Sequence, residues 1–90
     1  MRYEWDEQKA AANVRKHGWA FPDAVEVFGD VRRIVDYDSR HEYGEDRWVT
    51  TGMVRGRYVV VVYTESDGIR RIISARKAGR RGRERYHREV

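Results

Sequence analysis

The clearest pattern in the chain is a series of short apolar segments between residues 32 and 76, separated by turn residues. Segments of this length, rich in β-branched and aromatic side chains and bounded by glycine-containing turns, are typical of β-strands. The pattern predicts four strands, at 32–37, 46–54, 57–65 and 69–76. Tight turns at Arg55-Gly56 and Ser66-Asp67-Gly68 join the last three strands, so we expect an antiparallel meander. The segment 57–65 is nearly all β-branched or aromatic, and we expect it to be central and buried on both faces.

Helical signals flank the predicted strands on both sides. Asp6 is a good N-cap for an alanine-rich helix at 7–16, and Gly18 supplies the left-handed residue that commonly ends such a helix. A second short helix is predicted at 22–28, and the tail from about 83 to 90 forms a third. These elements predict an α+β fold with two N-terminal helices, a four-stranded antiparallel sheet and a short C-terminal helix. We expect one domain, 1–90, with a basic C-terminal tail at about 77–90.

The strand at 69–76 places its side chains alternately on the two faces of the sheet. The odd positions, which we expect to meet the helices, are Ile69, Arg71, Ile73 and Ala75. The even positions, which we expect on an open face, are Arg70, Ile72, Ser74 and Arg76. Two arginines and a hydroxyl in line suit a phosphate-binding surface. They suit an ordinary solvated sheet face equally well.

Charge is divided unevenly along the chain. Residues 1–69 carry 10 Lys or Arg and 13 Asp or Glu, a net charge of −3, whereas residues 70–90 carry 9 and 2, a net charge of +7. A segregated basic segment favours a polyanion as partner, although a basic tail with no special role is also common. Charge alone therefore leaves nucleic-acid binding and a solvated tail equally open.

The absence of cysteine excludes disulfides and thiolate metal sites, and it fits a reducing compartment. The longest strongly apolar run, 59–62, is far too short to span a bilayer, and the N-terminal residues contain no apolar signal-peptide core. We therefore expect a cytoplasmic protein.

The three histidines, at 17, 41 and 87, do not have the spacing of a metal motif, and the chain has no glycine-rich phosphate loop. We expect no metal and no cofactor. RNA cleavage without metal remains possible, because it needs only a base, cations and an acid. His17, Glu45, Arg47 and Tyr86 are residue types that fill these roles. Each also has an ordinary structural explanation: a helix-end cation for His17, an ion pair for Glu45 with Arg47, and packing on the sheet for Tyr86.

Several short motifs resemble one known family. They are EWD at 4–6, Lys9, Asn13, KHG at 16–18, GEDR at 44–47, VVYT at 61–64 and RIISARKA at 71–78. Together they resemble the BrnT toxins of bacterial type II toxin–antitoxin modules over residues 3–86. The resemblance implies a fold similar to the RelE-like ribonucleases and a metal-independent endoribonuclease activity that inhibits translation. It also implies a BrnA-type antitoxin, whose ribbon-helix-helix part binds operator DNA.

The resemblance adds roles to the residues. The catalytic candidates are His17, Glu45, Arg47, Arg76 and Tyr86, with the arginines as phosphate cations, His17 or Glu45 as base and Tyr86 or a histidine as acid. The RNA-binding candidates are Lys16, Arg70, Ser74, Arg80, Arg81 and Arg83. Gly82 stands where relatives usually carry glutamate, which puts an acidic role in the tail in doubt. Two alternatives remain: a non-catalytic nucleic-acid-binding module, and a degenerate toxin that acts as corepressor with its antitoxin.

Overall fold

The computed structural model of the protein describes residues 1–39 and 44–88. The strands in this part are β1 (Arg2–Glu4), β2 (Ile34–Asp38), β3 (Arg47–Val54), β4 (Arg57–Ser66) and β5 (Ile69–Lys77). The helices are α1 (Glu7–His17), α2 (Phe21–Ala24), which continues directly into a 3-10 turn at Val25–Gly29, and α3 (Arg80–Arg88). None of the described helices is long and apolar enough to cross a membrane.

The strands form one sheet in the order β1-β5-β4-β3-β2. The four predicted strands are present, and their antiparallel pairing as a meander is confirmed. The prediction of a four-stranded, purely antiparallel sheet is wrong, because β1 adds a fifth strand parallel to β5, with Arg2 opposite Ile69. β1 has only three residues, which are too few to show an alternation of polar and apolar side chains. Its partner strand, β5, lies more than sixty positions later in the chain.

The predicted ends of α1 are confirmed. The carboxylate of Asp6 accepts hydrogen bonds from the backbone N–H groups of Gln8, at 2.8 Å, and Lys9, at 3.1 Å. These two bonds lower the pKa of Asp6, and the bond from Lys9 has the larger effect. Gly18 follows the helix with a φ of 72°, a conformation that glycine adopts without strain. The helix predicted at 22–28 is instead the four-residue α2 followed by the 3-10 turn.

The core lies between the helices and one face of the sheet, here called the helix face. This face carries Val59, Val61 and Tyr63 of β4, as the pairing and packing show. The buried apolar residues of the core are Trp19, Phe21, Ala24, Val27, Val54, Val59, Val61, Tyr63, Ile72 and Ala75. The prediction that the strand at 57–65 is central and largely buried is confirmed for its middle, 59–61.

A β-bulge in β5 changes which side chains share a face. Val62 lies opposite Ser74 whereas Tyr63 lies opposite Ile72, so Ile73 is an extra residue in β5. A bulge of this kind shifts the alternation of side chains along its strand. Ile72 is therefore in the core, only 1% exposed, and the prediction that it lies on the open face is wrong.

The same shift moves other side chains of β5. Arg70 pairs with Glu65, which lies two positions after Tyr63 on β4 and therefore on the same face as Tyr63. Arg70 thus lies on the helix face, contrary to the prediction. Ile69 and Arg71, predicted to face the core, lie on the opposite face by the same register. Ser74 and Arg76 do lie opposite Val62 and Val60 on the non-helix face, as the alternation predicted.

The face of the sheet away from α1 and α2 is not fully open, because α3 packs on it. A Cβ atom at Gly82 of α3 would lie 3.7 Å from the side chain of Thr51 in β3. Thr51, Val60 and Tyr86 are correspondingly buried. The prediction of a free sheet face therefore holds only for the part that α3 does not cover.

Gly52 in β3 lies where the 3-10 turn crosses the sheet, and we expect Gly52→Ala to lower the free energy of unfolding by about 2 kcal/mol, through overpacking. A Cβ atom there would approach the Cγ2 atom of Val27 to 2.8 Å and the carboxylate of Asp30 to 3.0 Å. Urea unfolding measures the loss. Gly29→Ala is the matched control, because nothing lies within 4 Å of its new methyl group. Equal effects of the two substitutions would contradict the close packing at Gly52.

Candidate nucleic-acid interface

A concavity opens at the end of the sheet where β4 begins and β5 ends. Its volume is about 340 Å³, and the residues that line it are Trp19, Arg57, Tyr58, Lys77, Ala78 and Arg83. Three of these six side chains are cations and two are aromatic. We call this site the cationic concavity.

Three separate stretches of the chain meet at the cationic concavity. The turn at Arg55-Gly56, with φ angles of 50° and 79°, starts β4 at Arg57. The end of β5 is tied to β4 because the Ala78 N–H donates a 3.4 Å hydrogen bond to the carbonyl of Tyr58. Trp19 follows the last turn of α1 and is only 2% exposed. The site therefore depends on contacts between distant parts of the sequence.

Two of the three cations of the concavity are held by specific contacts. The guanidinium carbon of Arg57 lies 4.1 Å from the ring centre of Trp19, a cation–π contact. The guanidinium of Arg83 donates a 3.2 Å hydrogen bond to the carbonyl of Ala78, at the entrance to α3. Among the residues that the structure describes, no carboxylate lines the concavity. Ordered cations beside aromatic rings are the groups that bind phosphates and stack on the bases of single-stranded nucleic acid.

Tyr58 links the concavity to the last turn of α3. Its hydroxyl forms a hydrogen bond with the Nε2 atom of His87. The rings of Tyr58, Tyr86 and His87 also contact one another edge to face, with centres 5.4 to 6.1 Å apart. His87 is exposed, and its helix position is one turn after Arg83. An imidazole is therefore hydrogen-bonded to Tyr58, one of the residues that line the cationic concavity.

Tyr86, a predicted catalytic acid, is buried instead of facing the concavity. It is 5% exposed, and its hydroxyl donates a 2.7 Å hydrogen bond to the carboxylate of Asp30. Burial, and then this bond to Asp30, raise the pKa of Tyr86 to about 12. A phenol that is held in this way is a poor proton donor at neutral pH. Its contacts favour a structural role, and its catalytic role stays a prediction.

Asp30 joins three elements through its carboxylate. Besides the Tyr86 hydroxyl, it accepts hydrogen bonds at 2.9 Å from the backbone N–H groups of Met53 and of Arg32. Burial alone would raise the pKa of Asp30, but the bonds from Tyr86 and from these backbone groups lower it overall. An ion pair between Arg85 and Asp36, with N–O distances of 2.6 and 2.8 Å, also holds α3 on the sheet.

Replacing Tyr86 with phenylalanine is expected to lower the free energy of unfolding by about 1.5 kcal/mol, because the bond to a charged carboxylate is lost. The raised pKa favours the folded state below pH 10, and this contribution disappears as the pH rises from 10 to about 12. Urea unfolding at pH 7, 10 and 12 measures the difference between the two proteins. A difference that grows above pH 10 would contradict this assignment.

Some of the site residues predicted from sequence lie near the cationic concavity. Arg83 lines it, Arg76 is exposed directly before Lys77, and Ser74 is half-buried farther along β5. Lys16 and His17 end α1 two to three residues before Trp19, with Lys16 exposed and His17 half-buried. Arg80 and Arg81 are exposed in the first turn of α3, where Arg80 lies 3.6 Å from Glu84.

Other predicted residues lie elsewhere. Arg47 and Glu45 form an ion pair at 3.7 Å. Arg57 of the concavity pairs with Val54 at the last residue of β3, whereas Arg47 is the first residue of β3. At a rise of about 3.3 Å per residue along the strand, Arg47 is therefore roughly 23 Å from the concavity. Arg70 stacks on Phe28 at 4.2 Å and binds Glu65 at 2.6 Å, at the other end of β5. His41, part of the family motif, lies outside the described residues.

Four functional side chains of the site were not among the predicted site residues: Trp19, Arg57, Tyr58 and Lys77, of which only Lys77 belongs to the predicted basic tail. Arg57 follows a turn, where a cation is usually solvated, and Trp19 has the pattern of a core residue. Their common position results from tertiary packing, which no local signal reveals. In the described part of the chain, no three His, Cys, Asp or Glu side chains cluster so that they could hold a metal ion.

The fold and the cationic concavity define a small α+β protein whose surface is suited to nucleic acid. Residues 5–82 match the model of a family described as the ribonuclease toxin BrnT of type II toxin–antitoxin systems. The chain therefore belongs to the BrnT family of ribonuclease toxins, which act on RNA and are paired with an antitoxin. No significant match was found among curated proteins. The family match ends at residue 82, so Arg83, Tyr86 and His87 lie beyond it.

Proposed function

We propose that the protein is a metal-independent endoribonuclease with a RelE-like fold, which cuts RNA in the cytoplasm and so inhibits translation. A BrnA-type ribbon-helix-helix antitoxin neutralises it, and the complex of the two binds operator DNA. The observation that supports an RNA-cutting surface most strongly is the cationic concavity, which three cations and two aromatic rings line together. The family match supports the toxin assignment.

Metal-free cleavage begins when the 2′-hydroxyl of a ribose attacks the adjacent phosphate. The crowded phosphate gains negative charge, which cations stabilise. In our proposal Arg57, Lys77 and Arg83 supply this charge, and the exposed part of Tyr58 offers a surface on which a base stacks. The ring of Trp19 contacts the Arg57 guanidinium and holds it in position.

The residues predicted from sequence have different roles in this proposal, according to their distance from the cationic concavity. Arg76, next to Lys77, contacts the scissile phosphate or its neighbour, and His17 is the candidate base. Lys16, Arg80 and Arg81 hold the flanking backbone of the RNA, since they are exposed on both sides of the concavity. Glu45, Arg47 and Arg70 are too far away to share one phosphate with Arg57, so they contact only a longer RNA.

Incubation of the purified protein with a 5′-labelled RNA in excess EDTA tests the proposed activity. We expect internal cleavage whose 5′ fragments end in 2′,3′-cyclic phosphate, and growth arrest when the chain is expressed without an antitoxin. RNA that stays intact but is bound with steep salt dependence would indicate the non-catalytic binding module instead. Intact RNA together with harmless expression would indicate a corepressor.

A further inference from the structure

The cationic concavity holds groups that neutralise a phosphate, but RNA cleavage also needs a proton for the departing oxygen. Tyr86, the residue predicted for this role, uses its hydroxyl to donate a hydrogen bond to Asp30 in a buried contact. Its neighbour His87 is exposed and is hydrogen-bonded to Tyr58, which lines the concavity. Imidazole is the side chain best suited to exchange protons near neutral pH.

The hydrogen bond with Tyr58 occupies one ring nitrogen of His87, Nε2. Within the described residues, no partner binds the second nitrogen, Nδ1. When the phenol donates to Nε2, Nδ1 of the neutral ring carries the proton; in the imidazolium form both nitrogens carry one. Tyr58 therefore fixes the ring from one side and leaves a proton-bearing nitrogen free on the other.

We propose that His87 is the general acid of RNA cleavage and that Tyr58 is its positioning residue. This inference rests on the proposed ribonuclease function and deepens it. The 2′-oxygen forms a bond to phosphorus as the bond between phosphorus and the 5′-oxygen breaks. The 5′-oxygen takes a proton from the His87 imidazolium and leaves as a hydroxyl group, and the 2′-hydroxyl proton passes to His17, the candidate base, and from it to water. Water then reprotonates the imidazole, so the step is balanced without a metal or redox partner.

The groups around His87 fit this role. Tyr58 from β4 and Tyr86 from its own helix contact its ring, and Tyr58 lines the concavity together with Arg57, Lys77 and Arg83.

The test compares His87→Gln with the wild-type protein on two RNA substrates that differ in one atom. The first is ordinary RNA, and in the second sulfur replaces the 5′-bridging oxygen at the cleavage site, so that the leaving group is a thiolate that needs no proton. Glutamine keeps a hydrogen-bonding group near Tyr58 but cannot donate a proton in this way. We expect His87→Gln to cut ordinary RNA about 100-fold more slowly and to cut the sulfur substrate at the wild-type rate.

Tyr58→Phe is the companion variant, because it keeps the ring and removes only the hydroxyl that orients the imidazole. We expect a loss of about tenfold on ordinary RNA and none on the sulfur substrate. Wild-type rates for His87→Gln on ordinary RNA would overturn the inference and leave the ribonuclease function intact. Equal losses on both substrates would overturn the acid role, because they would show that His87 acts in RNA binding or in folding of the protein. A wild-type protein that cuts neither substrate would overturn the proposed function itself.

Discussion

Replacing Asn13 with leucine is expected to lower the free energy of unfolding by about 4 kcal/mol. The Nδ2 atom of Asn13 donates to the carbonyl of Trp19 at 2.9 Å and to the carbonyl of Ala75 at 2.8 Å. Its Oδ1 atom accepts from the Ala75 N–H at 3.1 Å. All of these groups are buried, and each backbone group left without its partner costs about 1–3 kcal/mol.

The position of Asn13 in the sheet explains this size. β1 pairs with Ile69–Arg71 of β5, and in the described part of the chain no strand lies beside the rest of this edge of β5. The amide of Asn13 binds both backbone groups of Ala75, as a residue of a neighbouring strand would. It also fixes Trp19, which supports Arg57 in the cationic concavity. Loss of this side chain therefore weakens both the fold and the site.

Urea unfolding of Asn13→Leu and of Val14→Ala measures the effect. Val14 is the next residue on the same helix and is 47% exposed, so its replacement should change the free energy of unfolding by no more than about 0.5 kcal/mol. A loss below about 1 kcal/mol for Asn13→Leu would show that these three hydrogen bonds do not hold the edge of the sheet.

Removing two cations from the cationic concavity is expected to reduce kcat/KM for RNA cleavage about 1000-fold. In the double variant Arg57→Gln, Lys77→Gln, two groups that we propose contact the phosphate lose their charge. We expect the RNA affinity to fall about tenfold and the rate of the chemical step to fall about 100-fold, because charge develops on the phosphate during cleavage. The slope of log affinity against log salt concentration should fall by about 1.4, since each contact to single-stranded nucleic acid contributes about 0.7.

The chain offers a matched control with the same change of net charge. Arg2 and Lys9 are exposed cations at the opposite end of the sheet, where Arg2 pairs with Ile69 at the start of β5. The double variant Arg2→Gln, Lys9→Gln should keep the affinity, the salt slope and the cleavage rate of the wild-type protein within about twofold. Similar losses in the two double variants would mean that total charge governs RNA binding, and not the cationic concavity.

Local signals in the sequence were enough to predict most elements of the fold. The cap at Asp6, the left-handed Gly18 and the two hairpin turns act over a few residues, and each was found where it was predicted. The β-branched run of β4 identified the central strand for the same reason. The parallel strand β1 was missed because its partner is distant and its length too short for a pattern.

The candidate site could be predicted only in part, because its geometry depends on packing. The bulge at Ile73 reverses the alternation that placed Arg70 beside Arg76, and no residue type signals a bulge at that point. The burial of Tyr86 depends on Asp30, fifty-six positions earlier. Arg83 and Arg76 were found from charge and motif, whereas Trp19, Arg57 and Tyr58 meet only in the folded chain.

Single-turnover cleavage of a 5′-labelled RNA in EDTA, at saturating protein, tests most directly whether the cationic concavity is the site of RNA cleavage. The wild-type protein and the Arg2→Gln, Lys9→Gln variant are predicted to cut at the same positions and at the same rate. The Arg57→Gln, Lys77→Gln variant, with an unchanged unfolding curve, is predicted to be about 100-fold slower. A folded Arg57→Gln, Lys77→Gln variant that cuts as fast as the wild type would contradict the account.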